Sequence, residues 1–493
     1  MPPTGTRRFQ APRPVKPWNG TRDAFEFGSA AIQTIPGWVK WVFTEPETMD
    51  EDCLTLNIWT PTSEAPRPVI VWIHGGGYRT GASSMPVFDG SKFAEIGKVV
   101  MVTINYRLGI FGWAAHPELR DPDTGSFANW AIQDQIEALR WIKENIAAFG
   151  GDPDKITVMG QSGGAINAIM IAHQSNELLF HQNIVMSAPY ICPPACMDLA
   201  DWSTVMEALA KELDTTVAGL RSVPALDLHN AELRQFGEHS ITTDTGRYRG
   251  TVVDGIVLDE WPAFYGLPKM PTLIGCISLE TASIFNFFDP ISNTYITPPP
   301  GDDADIRAEI QKALNGFYYL GDDVPTADDV ITHYRSSALA NDRSDDMATV
   351  AMELFGDMAG THYSVRKAEH AVLNGHEEVY FYQYGLPLKS PNHAPAHATE
   401  LSIVFGTFLH PHYRAKIGDG DMQHSVSKAI IESFAAFAAT GRPSSELLPE
   451  WPRFRAPAAN VMAFGEENIV GKVVDFPKYQ QLSILDKLAS LRQ

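Results

Sequence analysis

The chain has 493 residues, 44% apolar and 20% charged, which is an ordinary globular composition with ample material for a core. Its 38 basic and 59 acidic residues leave a net charge of -21, excluding the basic footprint of a nucleic-acid binder and pointing to solubility. No run reaches the roughly 18 consecutive apolar residues of a membrane span, and no apolar segment follows the paired arginines of "MPPTGTRRFQ" as a signal peptide requires.

Residues up to about Glu51 are rich in proline and tryptophan and read as loop and edge structure. The short β-branched runs "PVIVWI" (68–73) and "VVMVTIN" (99–105) then predict strands buried on both faces of a mostly parallel sheet. Ile132, Ile136, Leu139, Ile142 and Ile146 recur at helical spacing. Gly150 and Gly151 end that helix, and "DPD" is expected to turn the chain. "KITVMG" returns as a strand and "GGAINAIMIA" as a helix, with further strands at "NIVMSA", "PTLIGC" and "VYFYQYG". This alternation predicts an α/β fold, a mostly parallel central sheet with helices on both faces. Two helical insertions interrupt it, about 200–250 with "STVMEALAKELD" and about 285–355 with "DADIRAEIQKALNG". Both are expected over the carboxyl edge of the sheet, where ligands bind in such folds. The whole chain, 1–493, reads as one catalytic domain.

The four cysteines, Cys53, Cys192, Cys196 and Cys276, form no metal-ligand pattern, and they suit a reducing compartment better than a stapled secreted scaffold. A Cys192–Cys196 disulfide is the alternative to plain thiols. "NGT" at Asn19 matches a glycosylation sequon, a weak signal in three residues. Cytoplasmic residence is the expectation.

The strongest local signal is Gly160-Gln161-Ser162-Gly163-Gly164, a G-x-S-x-G between a predicted strand and a predicted helix. Its glycines allow a sharp turn that would leave the Ser162 hydroxyl exposed above the sheet and the Gly163 amide at a helix N-terminus. The bland alternative is a tight glycine-serine turn with no chemistry. Upstream, "WIHGGGYRTG" leaves a strand with bare backbone amides. It fails as a nucleotide-binding loop, because the G-x-G-x-x-G frame from Gly75 ends on Thr80 and no P-loop lysine follows.

"EDCLTLNIW", "VIVWIHGGGYRTG", "VTINYRLGIFGW", "NWAIQDQIEALRWIKENIAAFGGDPDKITVMGQSGG" and "VVDGIVL" resemble the type-B carboxylesterase family, which includes the cholinesterases. The resemblance implies the α/β-hydrolase fold and a triad in the order Ser, Glu, His. "PTLIGCISLETASIF" matches the segment of the family's acid at Glu280, with Thr281 where glycine normally follows. "APAHATELSIVFG" matches the histidine segment at His397, with Ala398 in place of glycine and Glu400, Leu401, Val404, Phe405 and Gly406 retained. His393 is a rival that lacks the spacing to Glu400. The amides of Gly76, Gly77 and Gly163 would then form the oxyanion hole. The remaining histidines, His410 and His412 of "HPH" among them, read as surface or core residues.

Departures narrow the expectation. Most family members carry glutamate at Gln161 and alanine at Gly163; a neutral Gln161 argues against choline esters. The family's cation-binding tryptophan falls near Phe43, with Trp41 close by. Cys53 lacks its usual upstream partner and should be a free thiol. Relative to the family, this N-terminus starts late, without two short strands and a "G-I-P-Y-A" type segment. The expected activity is hydrolysis of small carboxylic esters through an acyl-enzyme, with no metal and no organic cofactor. An amidase or carbamate hydrolase would use the same residues. A non-catalytic adhesion module of the same fold and a lyase-like use of the site are the other readings. Phe285, Phe287 and Phe288 either line an apolar entrance or belong to the core, and oligomeric state is unreadable.

Overall fold

The computed structural model describes residues 2–174, 178–189, 196–237, 249–281, 288–289, 294–295, 302–317, 325–389, 394–457 and 459–487. Its chain forms two compact units, Met1–His181 with Ile191–Tyr265, and Gln182–Tyr190 with Gly266–Gln493.

In the first unit, strands β1 (Leu56–Trp59), β2 (Arg67–Ile73), β3 (Val100–Ile104) and β4 (Gly151–Gln161) lie in the order β1-β3-β2-β4. β2 pairs in parallel with β3 and β4, and β1 runs antiparallel along β3. The continuous apolar runs have the cause assigned to them: Val69 to Ile73 and all of β3 are buried. β1 sits in "EDCLTLNIW", whose half-buried residues carry no clean apolar run, so periodicity alone does not reveal it. Helices α1 (Gly109–Trp113), α2 (Trp130–Asn145), α3 (Gly163–Gln174), α4 (Leu199–Glu212) and α5 (Ala225–Phe236) follow. α2 buries Ile132, Leu139 and Ile142, and a 3-10 turn carries Ile146 inward before left-handed Gly150 stops it. Ile136 is only half-buried.

"DPD" does not turn the chain between elements. β4 already begins at Gly151, and the pairing jumps from Arg67–Gly151 to Val69–Ile156, so Asp152-Pro153-Asp154 forms a bulge inside the strand. Proline and aspartate are tolerated there because a bulge needs no ladder hydrogen bond from them. The first insertion holds a second helix, α5, beside the expected one; α4 starts early because Asp198 and Asp201 form a capping box.

In the second unit, β5 (Gln182–Met186), β6 (Thr272–Ile277), β9 (Val379–Tyr384) and β10 (Asn460–Phe464) run parallel in that order. β11 (Gly471–Asp475) closes the edge as an antiparallel hairpin with β10. β7 (Phe288–Asp289) and β8 (Thr294–Tyr295) form a separate two-residue pairing. The second insertion contributes helices Asp303–Phe317, Ala327–Ala340 and Met347–Gly356, and a long helix, Asp421–Thr440, packs Phe434 and Phe437 against Tyr382 and Tyr380 of β9. Phe285, Phe287, His393, Cys192 and "TPPPG" lie outside the described residues, as does the Phe288 side chain.

Candidate active site

The first unit holds Ser162 and the three glycines expected at an oxyanion hole, Gly76, Gly77 and Gly163. Ser162 joins β4 to α3 with φ +57°, a left-handed conformation uncommon outside glycine. Its carbonyl accepts from Ala165 and Ile166 N–H at 3.0 and 3.2 Å, so the serine caps the helix it precedes. Gly163 opens α3 and presents one of the N–H groups that a helix leaves without an intrahelical partner. The turn is this tight because two backbones meet where side chains are missing. A Cβ on Gly164 would lie 2.1 Å from the Ile73 carbonyl oxygen at the end of β2.

The glycine loop uses its three residues differently. Gly75 is a packing position: a Cβ there would meet the Gln161 carbonyl at 2.7 Å, Gln161 Oε1 at 2.8 Å and Ser162 Cβ at 2.9 Å. Gly76 and Gly77 are turning positions, with φ +108° and +60°. A Cβ on Gly76 would fall 2.0 Å from the Thr80 carbonyl oxygen. The loop is clamped from outside by Gln33, which no local motif announces, and from its own strand end by His74, itself held by Tyr106. Gln33 Oε1 accepts from Gly81 N–H at 2.7 Å and from the Thr80 hydroxyl at 2.9 Å, while its amide donates to the Gly81 carbonyl at 2.9 Å. His74 Nδ1–H donates to the Gly75 carbonyl at 2.8 Å, and the Tyr106 hydroxyl donates to the His74 carbonyl at 2.7 Å. Burial holds His74 down to about 4, against a weaker upward pull from the Gly75 hydrogen bond, so the ring stays neutral near pH 7.

Phe43 is buried behind this loop, its ring edge 3.1 Å from the Gly76 Cβ position, and it packs tilted on Phe88; Trp41 is half-buried. Gln161 is 1% exposed and packed against Gly75. The alanine usual in the family at position 163 would put a methyl 2.8 Å from the Tyr78 ring, which is stacked on Trp113 at 4.0 Å.

The second unit holds Glu280 and His397 and brings them together. Glu280 is 3% exposed. Its Oε1 accepts from Ile277 N–H and its Oε2 from His397 Nδ1–H, both at 2.8 Å. A carboxylate only accepts, so Nδ1 carries the proton and the neutral ring has its lone pair at Nε2. The backbones are tied as well, His397 N–H donating to the Glu280 carbonyl at 2.9 Å. Desolvation pulls His397 down, but the hydrogen bond and charge of Glu280, with Glu400 adding, leave its pKa above the ordinary histidine value. The side chain keeps 35% of its surface.

Both substitutions next to this pair have structural counterparts. Thr281, in the position of the family's glycine, donates its hydroxyl to the Met352 carbonyl at 3.3 Å. Ala398 adopts φ +70°, a conformation suited to the glycine it replaces. Cys53 and Cys276 are buried free thiols, both pushed up by desolvation. Among the described residues no cluster of metal-ligating side chains occurs, and no helix is long and apolar enough to cross a membrane.

Residues 1–484 match the sequence profile described as the Carboxylesterase family. Phenmedipham hydrolase of Pseudarthrobacter oxydans is 31% identical over 481 residues, covering 94% of this chain and 90% of that protein. Para-nitrobenzyl esterase of Bacillus subtilis (strain 168) is 30% identical, covering 98% of this chain and 92% of that protein. Cocaine esterase of Homo sapiens is 29% identical, covering 92% and 80%. With a strand–serine–helix turn, a glycine loop and relatives matched along nearly their whole length, the chain belongs to the carboxylesterase family, of α/β-hydrolase fold, and is a carboxylic ester hydrolase.

Proposed function

We propose that the chain cleaves small carboxylic esters through an acyl-enzyme, with Ser162 as nucleophile, His397 as general base and acid, and Glu280 as the carboxylate that orients the histidine. Ser162 Oγ attacks the ester carbonyl carbon while His397 Nε2 takes its proton. Glu280 holds the Nδ1–H tautomer and stabilises the imidazolium without taking the proton itself. The amides of Gly76, Gly77 and Gly163 receive the negative charge on the tetrahedral oxygen. His397 returns the proton to the departing alkoxide, and water then repeats the sequence on the acyl-serine. The reading treats 1–493 as one catalytic domain with the two helical insertions as its cap. The sparse cysteines, two of them buried free thiols, support a cytoplasmic setting.

The observation that carries this reading is the backbone of Ser162. A non-glycine residue in the left-handed region costs about 1–2 kcal/mol and persists where the surrounding structure over-determines it, and such strain clusters at active sites. A structural turn flanked by three glycines would relax that strain by using a fourth.

The test is turnover of a para-nitrobenzyl ester and of phenmedipham, the compounds named for two relatives, by wild-type protein and Ser162→Ala. Loss of about a millionfold in kcat, as for a triad nucleophile elsewhere, is expected for any substrate that wild type turns over. Equal turnover by the folded variant removes Ser162 from the chemistry. A labelled organophosphate should become covalently attached to wild type and not to the variant.

A further inference from the structure

The acid loop 278–281 in the second unit leans on a charged cluster with no counterpart in any sequence motif. Lys478, just beyond β11, is 6% exposed. Its ammonium donates to the Ser278 carbonyl at 2.6 Å and lies 3.7 Å from Asp357 Oδ1, a carboxylate with no exposure at all. Asp357 Oδ2 accepts from Gln481 Nε2 at 2.9 Å and from the Tyr334 hydroxyl at 3.2 Å. Gln481 Nε2 also reaches Glu353 at 3.2 Å, and Glu353 is paired with Arg343. Two acids and two bases balance, so the cluster is neutral as a whole.

The cluster and the helix that carries it touch the acid loop at three points. Ser278, whose carbonyl takes the lysine, stands two residues before Glu280, and its N–H is fixed to the Tyr384 carbonyl at 2.9 Å. Gly356, next to Asp357, backs directly on Glu280: a Cβ there would lie 3.1 Å from the Glu280 nitrogen. Thr281 is bonded to the same helix through Met352. Among the described residues, the hydrogen bonds of the Glu280 carboxylate fix it relative to Ile277 and His397. Besides the Ser278 N–H bond to β9, the loop is fixed relative to the rest of the unit by the lysine and by the helix that carries its partner Asp357.

We propose that Lys478 is a positioning residue for the triad: its buried ammonium, held between Asp357 and the Ser278 carbonyl, sets the loop that aims the Glu280 carboxylate at His397. Burial favours the neutral amine, but Asp357 and Glu353 outweigh it and hold the lysine charged. A cation is needed here for a second reason. Asp357 and Glu280 are both buried acids beside one helix; burial pushes the Asp357 carboxyl up, and the lysine is the charge that opposes this behind Glu280. The inference rests on Glu280 being the acid of the triad.

The test replaces Lys478 by methionine, which fills a similar volume without charge. Activity on the ester that wild type turns over is measured per site titrated with an organophosphate. A kcat lower by about ten- to a hundredfold with KM unchanged is expected, the size of loss that small misplacement produces. The acid limb of the kcat–pH profile should also move down toward the ordinary histidine value of about 6.5, because a misaligned carboxylate raises His397 less. Glu400 faces His397 too and is untouched, so it supplies only the remainder of the upward shift. A purely structural lysine would lower the number of titrated sites and leave both kcat per site and the limb where they were, which overturns the proposal. If the single variant does not fold, Lys478→Met with Asp357→Asn removes both charges of the pair and avoids an uncompensated buried carboxylate. The same loss and the same shift are expected of it, and wild-type values overturn the proposal. Glu280→Gln serves as the control. Full activity in that variant sinks the triad reading itself, whereas an inactive Glu280→Gln beside a fully active Lys478→Met sinks only the role of the lysine.

Discussion

The two units supply their shares of the proposed chemistry by opposite means. In the first, precision comes from backbone: Gly75 and Gly164 are defined by the side chains they lack, and Ser162 by a dihedral angle that side chains resist. In the second, precision comes from side chains carrying charge, with Glu280 on His397 and Lys478 on Asp357 and Ser278. A site made of backbone is built from short contiguous runs, here 73–77 and 160–164, because neighbouring peptide groups form each of them. One made of charged side chains can be gathered from positions 280, 357, 397 and 478, so it leaves no local pattern.

That contrast can be broken at either end. Leaving the nucleophile itself aside, the largest effect is expected at the charged end, where Glu280→Gln keeps the shape but presents the wrong hydrogen-bonding group to Nδ1. A drop in kcat of about 10⁴, as for the equivalent change in another triad, is expected with little change in melting temperature. On the backbone side Gly76→Ala places a methyl 2.0 Å from the Thr80 carbonyl oxygen at φ +108°, so the loop has to move. Activity should fall about a hundred- to a thousandfold, the value of one oxyanion donor, and thermal melting should show accompanying destabilisation. An active Gly76→Ala would mean that the loop only packs.

The pH profile sharpens the charged side. His397 must be neutral to accept the serine proton, and its pKa is raised, so kcat/KM should decline with falling pH along a limb centred above about 6.5. Its contribution to stability runs the other way: it is fully present below the unfolded value and disappears as pH rises through the folded one. An activity limb below 6.5 would contradict the Glu280–His397 pairing. The smallest effect belongs to Ala398→Gly, which replaces a strained left-handed alanine. It should leave the wild-type rate in place and change stability by about 1 kcal/mol or less, strain relief opposing the added freedom of the unfolded chain. Denaturant titration reads the sign, and a large loss of activity would show that the alanine methyl itself holds His397.

Sequence reading recovered what neighbouring residues encode. The buried strands were legible because β2 and β3 are apolar on both faces, and α2 because its isoleucines recur at helical spacing. Ser162 and the glycines were legible for the same local reason, whereas Glu280 and His397 entered only through the resemblance to a family. β1, β11 and α5 escaped because their burial is partial or alternating over four to twelve residues. Aspartate and proline in "DPD" looked like a turn because the bulge that accommodates them depends on pairing with β2. Gln33 and Lys478 had no signal at all: each acts on a backbone carbonyl or amide, and a backbone group has the same identity everywhere in the chain.

The depth of the Lys478–Asp357 pair bears on how the protein responds to ionic strength. A net charge of -21 is a self-repelling surface, and salt relieves such repulsion within a Debye length of about 10 Å at 0.1 M. Mobile ions do not reach two groups that are 6% and 0% exposed. Added salt should therefore raise the melting temperature while leaving the alignment of Glu280, and with it kcat, where it was. The surface and the site answer to different solvents.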